Sequence, residues 1–273
     1  MKMNQRKKTI MLLALSVAFL TTVAIAGIFL KESAMVTDFS RKNLAPCLQY
    51  PFGTDWLGRD MFKRTITGLS MSILIGVCAA SVSAVLAFVL GVMAATLGKK
   101  VDSVISFIID TIMGIPHILL LILISYAMGK GLKGVVVGIA LSHWTSLARL
   151  IRGEVIQLRE SEYIQIAERL GHSKLKIAMK HMVPHLLPQF LVGLILMFPH
   201  AILHEASITF LGFGLSVEQP AIGIILSESM NYMITGKWWL ALFPGVMLVL
   251  TVVLFEMAGT SLRKLLDPSS AHR

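Results

Sequence analysis

The sequence has few charged side chains for its length. Asp, Glu, Lys and Arg make up 15% of the 273 residues, whereas hydrophobic residues make up 55%. That hydrophobic fraction exceeds what a soluble domain of this size carries, and it suits a chain whose solvent is lipid. We therefore expect an all-α protein of the lipid bilayer rather than a soluble enzyme.

Motifs of the common catalytic sites are also absent. The chain contains no GxxxxGK[ST] phosphate-binding loop and no HExxH, CxxC or GxSxG motif. We therefore expect no catalytic residues, no bound cofactor, and no ATP hydrolysis through such a loop. Cysteine is scarce: Cys47 falls in a polar segment and Cys78 in an apolar run, so a disulfide between them is not expected.

Long apolar runs dominate the rest of the chain. Each is near the ~20 residues that a helix needs to cross a bilayer. They predict six transmembrane helices, at Thr9–Leu30, Ser70–Leu97, Val104–Met128, Val135–Ala148, Leu186–Leu211 and Leu240–Leu262. The first run has an alternative interpretation as a cleaved signal peptide, because Ala24-Ile25-Ala26 resembles a processing site. Its continuation to Leu30 favours a retained span.

Basic residues give the chain a formal net charge of +10. Nucleic-acid binding is one explanation, but lysine and arginine in cytoplasmic loops explain the charge more simply. With the amino terminus in the cytoplasm, the predicted cytoplasmic segments hold more Lys and Arg than the external ones, so we expect no nucleic-acid partner. This topology divides the chain into a tail and first helix (1–30), an extracytoplasmic loop (31–69) and a core (70–273), with a cytoplasmic loop at about 149–185.

A polar stretch from Tyr163 to Pro184 interrupts the apolar second half. Its spacing predicts two short helices with apolar faces, separated by a C′ glycine at Gly171, with Ser173 capping the second helix and Pro184 closing the unit. A solvated connecting loop needs no repeated apolar face, whereas a docking surface for a soluble partner does. The pattern favours docking.

This stretch resembles the "EAA" coupling loop of ABC-importer permeases. The resemblance rests on Tyr163–Ala167, Gly171 and His181–Pro184, although only Ala167 matches the triplet that names the loop. It implies that an ATP-hydrolysing subunit contacts the residues Tyr163, Ala167, Arg169, Leu170, Gly171, His172, Ser173 and Pro184.

Two further strings extend the resemblance. Phe52–Asp60, FGTDWLGRD, resembles the GTDxLGRD signature of the second permease subunit in dipeptide, oligopeptide and nickel importers, and Glu205–Gly212 resembles its EASLSFLG string. From the residues alone, Asp55, Arg59 and Asp60 could form an ion-pair cluster, and fixing the loop is a simpler role for it than substrate contact.

The family implies a six-helix, MetI-like permease in a bacterial inner or plasma membrane. Its implied partners are a second permease, two ATP-binding subunits that carry ATP and Mg²⁺, and an extracytoplasmic solute-binding protein.

Polar side chains inside the apolar runs are candidates for the translocation path. They are Asp110, His143, His200, His204 and Glu205. Asp110 has an alternative role in hydrogen bonding to a neighbouring helix. His200 and His204 share one helix face, and paired imidazoles at that spacing can bind a divalent metal transiently. Each histidine also has a simpler role as a donor to a carbonyl.

Ile139–Trp144 and the His200–His204 pair resemble the nickel-permease branch. The predicted function is therefore that of an ABC-importer permease whose cargo is nickel or a nickel chelate. A dipeptide or oligopeptide importer is the alternative, and an ATP-independent secondary transporter is less favoured.

Overall fold

A computed structural model of the chain describes residues 5–266, apart from the side chain of Lys174. The ends of the predicted tail and core, residues 1–4 and 267–273, lie outside that range. Ten α-helices occur within it: α1 (Gln5–Ala34), α2 (Met61–Thr96), α3 (Lys99–Gly114), α4 (His117–Ala127), α5 (Gly131–Arg159), α6 (Glu162–Arg169), α7 (Lys174–Ile177), α8 (Val183–Phe210), α9 (Ile222–Met233) and α10 (Trp239–Leu266). A short 3₁₀ turn lies at Phe39–Arg41, and a π-helical turn at Ala178–Met182 joins α7 to α8.

Among residues 5–266, five helical segments are long and apolar enough to span a membrane. A sixth span results if α3 and α4 are counted together, although they meet at a bend of 100°. Every regular element among the described residues is helical, so the all-α membrane fold is confirmed.

The run Val104–Met128 predicts a single span in which Gly114 and Pro116 loosen the helix, and the structure has a sharp bend there between α3 and α4. Pro116 explains the break: it has no N–H to donate and it disfavours helical backbone at the residue before it. Ile115 accordingly has extended dihedral angles, with φ of −90° and ψ of 134°. The chain therefore turns sharply after Gly114 and starts a new helix at His117.

Helix α2 forms the centre of the bundle because many of its buried residues are small. Its fully buried residues include Ala79, Ala84 and Ala87. A Cβ atom on Gly76 would lie 2.6 Å from Cγ1 of Ile202, and one on Gly91 would lie 2.8 Å from the carbonyl oxygen of Ala148. Small residues of this kind allow α5 and α8 to approach α2 closely, which is how helices associate in lipid.

A buried charge cluster fixes the loop before α2. The Oδ1 atom of Asp55 accepts backbone N–H groups from Leu57 and Arg59, each at 2.9 Å. Its Oδ2 atom accepts Nε of Arg59 at 2.6 Å and Nη1 of Arg64 at 2.7 Å. Arg64 also donates to Glu228 on α9 at 2.9 Å. The cluster therefore holds the loop, α2 and α9 together.

The predicted cluster was right for Asp55 and Arg59 but wrong for Asp60. Asp60 caps the start of α2 instead, accepting the backbone N–H of Phe62 at 2.9 Å. The loop also requires glycine at position 58. Gly58 has a φ of +76°, and a Cβ atom there would lie 1.7 Å from the carbonyl oxygen of Asp38. These contacts agree with a structural role for the FGTDWLGRD string.

Replacing Asp55 with Asn should destabilise the protein strongly. The carboxylate is fully buried between Arg59 and Arg64, and removing one partner of such a cluster costs about 3 kcal/mol or more. The free energy of unfolding in detergent measures the effect. Asp38→Asn is the matched control, because the Asp38–Arg41 pair is exposed and should matter little. Equal effects of the two changes would contradict the structural role of Asp55.

Candidate functional site

The turn after α6 has the geometry predicted for a C′ glycine. Gly171 has a φ of +79°, a left-handed conformation that favours glycine. The N–H of His172 donates to the carbonyl of Ala167 at 3.2 Å, and the N–H of Gly171 donates to that of Glu168 at 3.0 Å. These two bonds form a Schellman motif, which ends α6 and reverses the chain. We call the segment from α6 through α7 the elbow.

The second half of the elbow begins as predicted but continues further. The Ser173 hydroxyl accepts the backbone N–H of Lys176 at 3.3 Å and caps α7. Pro184 does not close the unit: the chain stays helical from Leu175 to Phe210, passing through the π turn. A wider turn just before a proline is consistent with the missing N–H and with the space that the ring requires. The elbow is therefore continuous with the long helix α8.

The helical spacing of Tyr163, Ile166/Ala167 and Leu170 predicts one apolar face for α6, whereas the structure divides these residues between two faces. Ile164 is fully buried and Ala167 is 6% exposed, so these two residues attach α6 to the bundle. Leu170 is 73% exposed, and Tyr163 and Ile166 are also exposed. Leu175 and Met179 continue this surface beyond Gly171. The elbow thus has one apolar face inward and a second, unpartnered face outward.

The other residues of the predicted coupling set are mostly exposed. Arg169, Gly171, Ser173 and Pro184 are exposed and His172 is partly exposed, whereas Ala167 is the buried member of the set. At the base of the elbow, Nη1 of Arg159 donates to the carbonyl of Ala95 at 2.8 Å. This bond ties the end of α5 to the end of α2.

Two ion pairs link α3 to α5. Asp110 pairs with Arg149 at 2.5 Å, and Asp102 accepts both Nε and Nη2 of Arg152, at 2.5 and 2.7 Å. The Asp110 side chain is 68% exposed. Asp110, Arg149 and Arg152 line a cavity of about 400 Å³ with Ser106 and Ile109. Asp110 therefore pairs with a neighbouring helix and also faces an open cavity.

Three histidines from separate helices meet beside a larger cavity. His117 begins α4, His143 lies in the middle of α5, and His204 lies near the end of α8. One ring nitrogen of each lies within 4.8 Å of the others. Their ring centroids are 4.5 to 5.0 Å apart. The cavity has a volume of about 640 Å³.

The predicted pair of ligands was His200 and His204. His200 does line this cavity, but it is outside the group of three whose nitrogens lie mutually close. His117 was not singled out from the sequence. The sequence feature that could have identified His117 is its position directly after Gly114-Ile115-Pro116, because a broken helix inside a membrane commonly lines a cavity.

Hydrogen bonds orient the His143 ring. Its Nδ1 atom lies 3.2 Å from the carbonyl oxygen of Ile139 and 3.1 Å from the hydroxyl of Ser142. A carbonyl accepts but cannot donate, so this contact places the proton on Nδ1 and leaves Nε2 with a free lone pair. Nε2 of His143 and Nε2 of His117 are buried and have no hydrogen-bond partner among residues 5–266.

Glu205 lies beside His204 in sequence but serves a different part of the structure. It is fully buried, and its Oε1 atom accepts the Thr209 hydroxyl at 3.0 Å. The same hydroxyl oxygen accepts the backbone N–H of Leu215 at 3.3 Å. Glu205 does not line the histidine cavity, and its hydrogen bonds organise the end of α8 and the loop that follows.

Residues 87–272 match the family model described as "Binding-protein-dependent transport system inner membrane component". The dipeptide transport system permease protein DppC of Bacillus subtilis is 32% identical over 251 residues, 92% of this chain and 78% of that protein. The oligopeptide transport system permease protein OppC of the same organism is 30% identical over 268 residues, 98% of this chain and 88% of that protein.

A solved structure of the MetNI methionine ABC transporter contains a chain with the same fold. The TM-score is 0.63 and the sequence identity is 18%, over 76% of this chain and 98% of that one. At this identity the likeness concerns the fold alone, and it agrees with the predicted MetI-like architecture.

Replacing Gly171 with Ala should loosen the Schellman motif without a steric clash. A Cβ atom at Gly171 would meet no atom within 4 Å, so the cost is that of the left-handed backbone, about 1 kcal/mol. We expect the amide of His172 to exchange with solvent about fivefold faster. Hydrogen exchange measured by mass spectrometry tests this, with the peptides of α2 as an internal control. Unchanged exchange at His172 would contradict the assigned motif.

Proposed function

Because this chain belongs to the family of binding-protein-dependent transport system inner membrane components and is a permease subunit of an ABC importer, we propose that the importer takes up short peptides. The observation that carries this proposal is the similarity to peptide permeases along nearly the whole chain. These relatives are named for dipeptides and oligopeptides, so they favour the peptide alternative over the nickel cargo that the histidine strings predict.

The importer needs partners that this chain does not supply. We propose a second permease that completes the path, two subunits that bind and hydrolyse ATP with Mg²⁺, and an extracytoplasmic binding protein that delivers the peptide. The elbow then lies in the cytoplasm, together with the amino terminus. The chain crosses a bacterial inner or plasma membrane several times and does no chemistry on its cargo.

The elbow is suited to receive force from an ATPase. Its outer face carries Tyr163, Ile166 and Leu170, which are apolar and exposed, whereas Ile164 and Ala167 fix it to the bundle. An apolar patch with a polar rim is the usual form of a protein docking surface. A transporter that works without ATPase partners has no need of such a face at this end of the bundle.

The elbow also stands between the helices that line the cavities. It follows α5 and leads without a break into α8, and these two helices carry His143, His200 and His204. A displacement of the elbow therefore moves both cavity walls as rigid helices. This arrangement supports alternating access, in which closure of the ATPases changes the side from which the cavity opens.

Replacing Leu170 with Asp should disrupt docking of the ATPase. A charge placed in the middle of the apolar patch is expected to weaken binding by about 2 kcal/mol or more. Because Leu170 is 73% exposed, the permease itself should fold normally. Recovery of the ATPase with the tagged permease measures the effect. Ile234→Asp is the matched control: Ile234 is also exposed, but it lies beside Tyr232, whose ring stacks on Trp56 at the opposite end of the bundle. Equal recovery with both variants would contradict the proposed docking face.

Peptide transport is tested with the complete importer in proteoliposomes. With binding protein outside and ATP available to the ATPases, we expect accumulation of a radiolabelled dipeptide that excess unlabelled peptide competes away. Hydrolysis-deficient ATPase subunits are the control and should abolish it. ATP-dependent uptake of a free metal ion, with no uptake of any peptide, would contradict the proposal.

A further inference from the structure

We infer that His117, His143 and His204 form a transient binding site for a divalent metal ion of borderline hardness, such as Ni²⁺, Co²⁺ or Zn²⁺. The inference rests on the proposed function, because the metal would cross the membrane as part of the cargo, bound to a short peptide. It differs from the histidine pair predicted from the sequence: His117 and His143 join His204, and His200 is not a ligand.

The positions of the three rings are set by separate parts of the fold. The break at Pro116 brings the first residue of α4 into the bundle, and His143 and His204 project from α5 and α8. Residues on three helices do not come together through local sequence preferences. Imidazole nitrogen is a preferred ligand of Ni²⁺, Co²⁺ and Zn²⁺, whereas Mg²⁺ and Ca²⁺ prefer oxygen.

The spacing suits weak binding. Nitrogen ligands lie about 2.0 to 2.1 Å from Zn²⁺, which places two tetrahedral ligands about 3.4 Å apart. The three nitrogens here lie within 4.8 Å of one another, so small rotations of the rings would complete the geometry. A transported ion has to leave again, and a site that is close to but not fully formed favours exchange.

The hydrogen bonds of the cluster leave ligand atoms free. The carbonyl oxygen of Ile139 accepts a hydrogen bond from Nδ1–H of His143. A hydrogen bond of this kind commonly orients a metal-binding histidine. Nε2 of His143 and Nε2 of His117 have no partner within the described protein, although both are buried. Burial of unpaired polar atoms is unfavourable, so the cluster favours a bound species that interacts with these nitrogens.

The surroundings indicate that the cargo brings the remaining ligands. Among the described residues that line the cavity, no side chain is acidic. Three neutral imidazoles therefore leave the metal with its full positive charge and with at least one open coordination position. The amino group and carboxylate of a short peptide supply both charge and ligands, and the cavity of about 640 Å³ has room for such a molecule.

Metal binding is tested on the complete importer, purified in detergent and freed of metal with a chelator. We expect Co²⁺ to give visible ligand-field absorption and Ni²⁺ to bind in equilibrium dialysis. His117→Gln, His143→Gln and His204→Gln should each weaken the affinity by about tenfold or more. His200→Gln should weaken it less than any of these three, and the exposed His185→Gln is the control and should change it by no more than about twofold.

Two further measurements keep the test decisive even if one of the glutamine variants fails to fold. X-ray absorption of the Ni²⁺-loaded wild-type importer should show scattering from three imidazole rings. His204→Cys should restore binding and add a sulfur-to-cobalt charge-transfer band, which a purely structural role would not produce. Absence of metal binding by the wild type, or equal losses in His200→Gln and His143→Gln, would overturn the inference.

Measurements of dipeptide uptake with and without Ni²⁺ distinguish a failure of this inference from a failure of the proposed function. Uptake of a dipeptide that is the same with and without Ni²⁺, together with no metal binding, would overturn the metal site and leave the peptide importer in place. Metal binding by the three histidines without peptide uptake would support the site and contradict the proposed cargo. We expect both binding and faster uptake of the Ni²⁺-loaded dipeptide, and that gain should be lost in His143→Gln.

Discussion

The left-handed backbone at Gly171 is the constraint on which the transport account depends. It ends α6, reverses the chain, and exposes Leu170 at the tip of the elbow. The elbow connects two helices of the bundle. Helix α5 precedes the elbow and is tied to α2 through Arg159, and α8 continues the helix that begins in the second half of the elbow. Force applied at one exposed turn is therefore delivered to two walls of the bundle, because packed helices move as rigid bodies.

One part of the bundle is held together by buried ion pairs, and another part, which we call the open side, contains the cavities. The buried carboxylate of Asp55, between Arg59 and Arg64, fixes the loop before α2 to α9. The open side contains the break at Pro116, the three histidines, and the exposed Asp110–Arg149 pair between α3 and α5. Alternating access needs this asymmetry, since a fixed part must resist while another part moves. The polar residues of the open side are also those that lipid would tolerate least, and a second permease would shield them.

Local features of the fold could be predicted from the sequence, and contacts between distant residues could not. The glycine turn at Gly171 and the Ser173 cap depend on neighbours in sequence and were found as predicted, and five of the six predicted apolar runs lie in helices long enough to span a membrane. The sharp bend at Pro116 was underestimated because apolar composition alone does not distinguish a straight helix from a broken one. His117 was missed for the same reason. The pairing of Asp110 with Arg149, and of Asp55 with Arg64, depends on which helices become neighbours, and no spacing within one helix contains that information. The role of Ala167 was misjudged because an amphipathic helix with two apolar faces gives one periodic signal.

The central claim is the proposal that ATP binding by ATPase subunits docked on the elbow changes the side from which the histidine cavity is open. The most direct measurement is the reactivity of a cysteine placed at Ser146, on the cavity wall, after the exposed Cys47 and Cys78 are replaced by Ser. A membrane-impermeant thiol reagent is applied from each side of the reconstituted importer, with and without ATP. The account predicts that the reactive side switches when ATP is bound. Reaction from the same side in both states would contradict it.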